Sequence, residues 1–248
     1  MCTTDMNGTE IKEKKLLLQI SKADFLSKMK FASSKERSRC EEYLDLKGIS
    51  YHVVLANYIG LDDVGKIEYI KVQNLYIYDK RIRYILYKFL SALEEGIRGY
   101  ISNKYVLTTK IKKLSSVIYK SIQDGSSLSK ELENLDFNRL IQLTHKLDVQ
   151  EQNELFNNNE NLDVNLQAVK TLRNAVSHHR MLFVYEDFDR CIIDGFESGT
   201  LISNIHNLKK LLNPYYKEFF VPAINNAAFE KDDPNFNLSL PIYAIIKI

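Results

Sequence analysis

The stretch Tyr78–Tyr105, YDKRIRYILYKFLSALEEGIRGYISNKY, decides the fold class. Its apolar residues recur every three or four positions, which is the period of one face of an α-helix: Ile82, Ile85, Leu86, Phe89, Leu93 and Ile97. Asp79 with Arg83, and Glu94 with Arg98, have the four-residue spacing of ion pairs on a helix surface. The pattern predicts a long helix with one face in the core.

Helical periodicity continues on both sides of this stretch, and helix breakers are few, with 9 Gly and 4 Pro in 248 residues. Further helices are predicted at Lys14–Phe31, Ser34–Leu46, Ile111–Ile122, Phe137–Leu147, Val149–Phe156, Asn161–Phe183, Ile202–Leu212 and Tyr215–Asn226. Ser33 or Ser34 can cap the second of these, and Lys47-Gly48 ends it. The run Ile49–Asn57 fits a helix or a strand, with a helix favoured. The sequence therefore predicts an all-α fold.

The predicted organisation has three parts. Residues 1–13 are polar and are expected to be disordered or loosely ordered. Residues 14–226 are expected to form one helical domain, with Asn157–Asn159 as a polar linker inside it. Residues 227–248 are expected to form an irregular extension that packs on this domain. Within the extension, Leu238–Ile248 is apolar and β-branched, which fits a strand or a docked extended segment.

Composition and charge exclude several classes of protein. Hydrophobic residues make up 45% and charged residues 27% of the chain, as in a globular protein rather than a disordered or fibrous one. The net charge, 34 − 32 = +2, is too small to attract nucleic acid in bulk, so any polyanion site must be local. Cys2, Cys40 and Cys191 match no zinc or redox spacing, and their odd number fits a reducing compartment. With no apolar signal segment and no apolar membrane span, a cytoplasmic protein without membrane contact is expected.

One segment, Leu172–Arg180 (LRNAVSHHR), is the main candidate for chemistry. The sequence has no phosphate-binding glycine loop, dinucleotide fingerprint, zinc-protease motif or serine-hydrolase motif. The segment instead contains two of the five histidines, flanked by arginines, within the predicted Asn161–Phe183 helix. A rotation of about 100° per residue places Asn174 and His178 on one face of that helix.

Such a segment can cleave RNA without a metal ion. Imidazole groups titrate near neutrality, so a histidine side chain such as that of His178 can accept the proton of a ribose 2′-hydroxyl or donate one to the leaving 5′-oxygen. The guanidinium of Arg173 can stabilise the negative charge that builds on the phosphorane. One histidine cannot comfortably make both proton transfers in a single pass, so a two-fold dimer that supplies a second copy would help. The alternative is a solvated helix face, or a cation that interacts with the helix dipole.

Metal binding is a further alternative at the same segment. On a helix, His178 and His179 point about 100° apart and cannot both face one ion. Acidic residues that follow could add oxygen ligands, although an exposed turn explains them as well: Glu186, Asp187 and Asp189. We predict neither a metal site nor a cofactor. The remaining histidines stand singly and are assigned no role: His52, His145 and His206.

Tyrosines interleaved with basic residues form a second candidate region. The tyrosines are Tyr76, Tyr78, Tyr84 and Tyr87, and the basic residues are Lys80, Arg81, Arg83 and Lys88. The mixture suits phosphate contact and base stacking, but core packing and a solvated face explain it as well. A second basic stripe has the same two explanations: Lys110, Lys112, Lys113 and Lys120.

The spacing Arg173-Asn174-x-x-x-His178 fits the R-x(4)-H signature of HEPN domains, which are all-helical units of many prokaryotic defence ribonucleases and toxins. With its surroundings, Leu166–Leu182 resembles the L-R-N-x-x-x-H-H-x-R-L stretch of bacterial abortive-infection proteins of the Abi D/F type. Three further segments resemble that family in the same order along the chain: Tyr78–Arg83, Ala92–Arg98 and Leu135–Leu143. The sequence departs from the family pattern at three places: His52-Val53, Met181 and Phe183-Val184. The resemblance covers roughly residues 14–212.

The resemblance implies a HEPN-type helical bundle with additional N-terminal helices, and a metal-independent endoribonuclease that acts as a homodimer. It assigns proton transfer to His178, the phosphate to Arg173 and an orienting hydrogen bond to Asn174. His179 and Arg180 are expected to contact the RNA. The expected products carry a 2′,3′-cyclic phosphate and a 5′-hydroxyl.

Glu94 and Arg98 are expected on a helix that packs beside the motif, where they hold its geometry or form a plain surface pair. The cellular role that the resemblance implies is phage defence through growth arrest, by a toxin that an RNA or protein antitoxin restrains. The competing hypothesis is a non-catalytic RNA-binding or protein-interaction module that keeps the motif.

Overall fold

A computed structural model describes residues 20–105, 110–229 and 238–248. These residues contain twelve α-helices, which confirms the predicted all-α fold. The helices are α1 (Lys22–Lys28), α2 (Ser34–Lys47), α3 (Ile49–Ile59), α4 (Tyr69–Tyr105), α5 (Lys110–Leu114), α6 (Ser116–Gln123), α7 (Leu128–Glu133), α8 (Phe137–Thr144), α9 (Val149–Phe156), α10 (Leu162–Ser177), α11 (Leu201–Leu211) and α12 (Pro214–Asn225). None of these described helices is long and apolar enough to span a membrane. The predicted disordered segment, residues 1–13, lies outside the described residues.

Two small sheets accompany the helices. Strands β1 (Met29–Lys30) and β2 (Ile67–Glu68) pair in parallel. Strands β3 (Cys191–Ile193) and β4 (Phe196–Ser198) form an antiparallel hairpin whose turn places Asp194 and Gly195 at positive φ. The hairpin follows the motif segment in the chain, after residues 181–190. The contacts that fix the hairpin therefore also hold the chain that leaves the candidate site.

Helix α4 has 37 residues and is about 55 Å long. It includes the predicted Tyr78–Tyr105 helix and begins earlier, because Val72 and Leu75 extend the buried face toward its N-terminus. The chain divides into two compact units at Arg81–Ile82, inside this helix. The first unit contains the described residues up to Arg81 together with those of Ala227–Ile246. The second contains Ile82–Asn226 and Lys247–Ile248. Since one helix belongs to both units, the single domain expected over residues 14–226 stays a prediction.

Several predicted helix boundaries shift. The described part of Lys14–Phe31 is helical only in α1, because the Ser21 side chain caps its first turn and Met29 enters β1. The single helix predicted over Ile111–Ile122 is wrong. The chain forms α5 and α6 instead, because the Ser115 hydroxyl accepts a hydrogen bond from the Ile118 N–H (3.2 Å) and starts a new helix.

The C-terminal segment in the first unit is extended, with one 3₁₀ turn at Ile242–Ala244. The Ile246 N–H donates to the Tyr78 hydroxyl (2.9 Å), and the Asn74 amide donates to the Ser239 carbonyl (3.3 Å). Ala244 and Ile246 are buried. Of the two predicted forms, the docked extended segment is the one that the described residues adopt.

A buried histidine lies in the core of the first unit. The His52 ring is parallel to the rings of Tyr69 and Tyr76, at centroid distances of 6.4 and 6.2 Å. Its Nδ1 donates to the Gly48 carbonyl (3.2 Å). Burial lowers the pKa of His52 from its usual 6.5, because water no longer solvates the charged imidazolium.

Acidification is therefore expected to destabilise the protein through His52. Its folded-state pKa lies below 6.5, so between these two values the unfolded chain binds a proton that the folded chain does not. The contribution of His52 to the free energy of unfolding is fully present above about pH 6.5. It falls as the pH drops, by at most about 1.4 kcal/mol per pH unit for one group. Urea unfolding at a series of pH values from 8 to about 5 measures this slope.

The matched variant is His52→Asn, whose side-chain N–H can replace the Nδ1 donor without titrating. We expect a smaller slope in this variant. A second histidine contributes in the same direction, because burial also lowers the pKa of His206. Equal slopes in the wild type and in His52→Asn would contradict the assignment of this pH dependence to His52.

Candidate functional site

The motif segment lies at the C-terminal end of α10, in the second unit. The prediction of one helix over Asn161–Phe183 is wrong at this end, because α10 stops at Ser177. His179 N–H donates to the Val176 carbonyl (3.1 Å) and Arg180 N–H to the Ala175 carbonyl (2.9 Å), which is the Schellman pattern. His179 has φ +54°, a left-handed conformation that glycine usually supplies at such an ending.

Asn174 and His178 nevertheless remain on one face. His178 is the C-cap and keeps nearly helical backbone angles, with φ −87° and ψ 11°. Its N–H donates to the Asn174 carbonyl (2.9 Å), so the four-residue spacing of the helix holds up to this residue. Both side chains are exposed. The end of α10 therefore presents an amide and an imidazole together to solvent.

Arg173 is fixed from the side by a neighbouring carboxylate. Its Nε donates to Oε1 of Glu94 on α4 (3.3 Å). The Arg173 side chain is 35% exposed, whereas that of Glu94 is only 15% exposed. One of the five N–H donors of the guanidinium is used in this contact, so the group can still bind an anion through others. The pair fixes Arg173, which lies about 100° around α10 from Asn174 and about 140° from His178, so a long arginine side chain has to span part of that angle.

The same carboxylate also binds Arg98, one turn along α4. Nη2 of Arg98 donates to Oε2 of Glu94 (3.4 Å), and Arg98 also donates to the carbonyls of Leu132 (3.2 Å) and Leu135 (3.1 Å). Glu94 thus lies between two guanidinium groups, and Arg98 is fixed to the backbone at the C-terminal end of α7. The structure brings together Glu94, Arg98 and Arg173, so Glu94 and Arg98 form more than a surface pair.

A second contact between α4 and α10 lies at the other end of the motif. Nη1 of Arg83 donates to the carbonyl of His179 (3.3 Å). Arg83 precedes Glu94 on α4, while His179 follows Arg173 on the motif segment, so the two segments run antiparallel. Sequence reasoning placed Arg83 among the tyrosines and missed this contact, because the acceptor is a backbone carbonyl and no side-chain pattern marks it.

His179 and Arg180 follow the helix end, and both side chains are exposed. They leave the helical path at the left-handed residue, so they do not continue the face formed by Asn174 and His178. This position suits contact with a bound polyanion beside that face more than a shared role with His178.

Of the acidic residues after the motif, Asp189 has structural partners. Asp189 accepts hydrogen bonds from the side chains of Gln167 and Thr171 on α10. Glu186 and Asp187 are exposed. Within the described ranges, no group of three or more His, Cys, Asp or Glu side chains is placed to hold a metal ion. Through these two hydrogen bonds, Asp189 fixes the loop that follows the motif to α10.

Asn165 on α10 fixes the β3–β4 hairpin. Its Oδ1 accepts from the Ile192 N–H (2.8 Å), and its Nδ2 donates to the Ile192 carbonyl (3.1 Å) and to Oδ1 of Asn159 (2.9 Å). Asn207 on α11 donates to the Asn165 carbonyl (2.7 Å). The chain that leaves the motif is thus tied back to the helix that carries it.

The candidate tyrosine and basic region separates into two kinds of residue. Tyr78 is fully buried, and Arg81 donates to the carbonyls of Ala227 and Phe229, so both serve the packing of the first unit. Tyr84 and Tyr87, in the second unit, are exposed. The lysines of the other basic stripe are exposed on α5 and α6, as expected for the outer face of amphipathic helices: Lys110, Lys112, Lys113 and Lys120.

Comparison of the chain with protein-family models, with curated proteins and with solved structures finds no match.

Proposed function

We propose that this protein is a metal-independent endoribonuclease in which a ribose 2′-hydroxyl of the RNA attacks the adjacent phosphorus. The observation that supports this most is the joint exposure of Asn174 and His178 at the end of α10, together with the contact by which Glu94 fixes Arg173 on the same helix turn. A proton-transfer group, a hydrogen-bonding amide and a cation are the three parts that this reaction needs. The exposure of Asn174 and His178 and the partial exposure of Arg173 support an RNA backbone as the ligand.

The proposed reaction forms the O2′–P bond and breaks the P–O5′ bond. His178 accepts the proton of the 2′-hydroxyl, and the leaving 5′-oxygen receives a proton. Arg173 binds the nonbridging phosphate oxygens, whose negative charge grows in the transition state. Asn174 orients the phosphate or the imidazole by a hydrogen bond. The fragments carry a 2′,3′-cyclic phosphate and a 5′-hydroxyl, and no cofactor takes part.

A homodimer completes the proposed site. One imidazole cannot accept and donate a proton in a single pass, so a second His178 from a two-fold-related copy supplies the acid while the first acts as base. The exposed ends of α10 would have to meet across the symmetry axis. His179 and Arg180, beside this end, would hold the RNA backbone.

The resemblance to abortive-infection proteins gives the proposed cellular role. We assign the protein to phage defence, as a cytoplasmic toxin that cleaves RNA and arrests growth, and that an RNA or protein antitoxin holds inactive. The net charge of +2 fits a local RNA site rather than general attraction to nucleic acid.

The test is incubation of the purified wild type with a mixed RNA pool in EDTA, followed by analysis of the fragment ends. We expect cleavage in EDTA, with 2′,3′-cyclic phosphate and 5′-hydroxyl ends. A pool of oligonucleotides with the same mixed sequences but 2′-deoxyribose throughout is the matched substrate control, and it should stay intact because it lacks the attacking hydroxyl.

Two results would contradict the proposal. Fragments with 3′-hydroxyl and 5′-phosphate ends, or cleavage that requires added metal, would indicate hydrolysis by a different mechanism. Intact RNA together with salt-dependent RNA binding would instead support a non-catalytic RNA-binding module.

A further inference from the structure

Helix geometry places Tyr87 close to the line on α4 that joins Arg83 and Glu94, the two residues that contact the motif segment. It is four residues after Arg83 and seven before Glu94, which places it about 40° and about 20° around the helix from them. Along the helix axis it lies about 6 Å from Arg83 and about 10 Å from Glu94. Since Arg83 contacts His179 and Glu94 contacts Arg173, Tyr87 is level with the last turn of α10.

The Tyr87 ring is nevertheless 58% exposed. Leu86 and Leu90 lie on the other side of the line from Arg83 to Glu94 and are buried, so the apolar face of this part of α4 points away from the tyrosine. Arg83, one turn before Tyr87 on the same side of α4, supplies a positive charge near this ring. An aromatic ring at a solvent edge beside cations is the arrangement by which proteins stack unpaired bases and hold the backbone that carries them.

We infer that Tyr87 is a stacking residue for an unpaired base of single-stranded RNA, next to the phosphate that faces Arg173 and His178. The inference rests on the proposed function for its ligand and adds a residue that selects the form of the RNA. A duplex keeps its base faces stacked inside the helix, so it offers no ring to Tyr87. The site is therefore selective for single-stranded RNA.

The test is a binding measurement with a probe that cannot be cleaved. A fluorescent mixed-sequence oligonucleotide made of 2′-O-methyl nucleotides lacks the attacking hydroxyl, so its binding does not depend on catalysis. We expect Tyr87→Ala to raise the Kd about tenfold, because one stacked base is lost. Tyr87→Phe keeps the ring and should stay within about twofold of the wild type.

Tyr84 is the matched control on the same helix. It is also an exposed tyrosine, 75% exposed, but it lies about 60° further around α4, away from the motif. We expect Tyr84→Ala to bind the probe within about twofold of the wild type. The same probe with abasic residues should bind the wild type and Tyr87→Ala equally, because it has no base to stack.

An unchanged Kd in Tyr87→Ala would overturn the inference, and so would equal losses in Tyr84→Ala and Tyr87→Ala. Equal affinity for a 2′-O-methyl duplex and for the single strand would overturn the claim of selectivity. Weakened probe binding in Tyr87→Ala, in a protein that leaves ordinary RNA intact, would support the stacking role and refute only the ribonuclease. Cleavage of ordinary RNA in EDTA, with unchanged probe binding in Tyr87→Ala, would support the ribonuclease and refute only the stacking role.

Discussion

His178→Ala is expected to lower the rate constant of RNA cleavage by at least about 100-fold. Proton transfer by a positioned side chain contributes about 10²- to 10⁴-fold in enzymes, and alanine has no group that can replace the imidazole. His178 is exposed, so its loss should change the free energy of unfolding by no more than about 0.5 kcal/mol. Single-turnover cleavage kinetics and urea unfolding of the same preparations measure the two quantities.

His179→Ala is the matched control for this variant. It removes the same residue type at the next position, where the side chain is also exposed but the backbone has left the helix. We expect its KM to rise severalfold while kcat stays near the wild-type value, since a contact to the RNA backbone is lost. Equal losses of kcat in the two variants would contradict the assignment of proton transfer to His178 rather than His179. Full activity of His178→Ala would refute the assignment altogether.

Glu94→Ala is expected to affect both stability and cleavage. The substitution leaves the half-buried guanidinium groups of Arg98 and Arg173 without their shared carboxylate. Removal of one partner from a fully buried ion pair costs about 3–5 kcal/mol. Partial exposure of these three side chains reduces the expected loss in free energy of unfolding to about 2 kcal/mol. Cleavage should fall about tenfold in addition, because Arg173 loses the contact that orients it.

Glu94→Gln separates the positioning role from a merely structural one. Glutamine has the same shape and one acceptor oxygen but no charge, so it can hold one of the two guanidinium groups. We expect it to recover part of the cleavage rate and part of the stability. If the cleavage rate per folded molecule equals that of the wild type in both Glu94 variants, then Glu94 contributes only to stability and does not position Arg173.

Local patterns along the chain predicted a large part of the fold. The apolar period of Tyr78–Tyr105 identified the long helix, since one helix face must be buried whatever packs against it. Ser33 and Gly48 bound α2 as predicted, through a side-chain cap and a positive φ of 78°. These features depend on residues within one or two turns of each other.

The end of the motif helix was not predictable in the same way. A residue with left-handed backbone angles after a helix is usually glycine, but here it is His179. No residue type in the sequence therefore indicates that the helix ends at Ser177. Nor could spacing show that Glu94 meets Arg173, because 79 positions separate them and only tertiary packing joins them. Sequence reasoning named the residues of the candidate site, whereas their contacts required the structure.

The discontinuous first unit determines the order in which the protein can form during synthesis. Tyr78 and Asn74 receive their partners from residues up to Ile246, so the ribosome must add 246 − 81 = 165 residues after the helix segment that ends at Arg81. At about 5–20 residues per second this takes about 10–30 s. During that interval the second unit can be completed, while the first still lacks the segment that covers its apolar surface. The first third of a nascent chain is thus open to chaperones and proteases after the motif helix has already been synthesised.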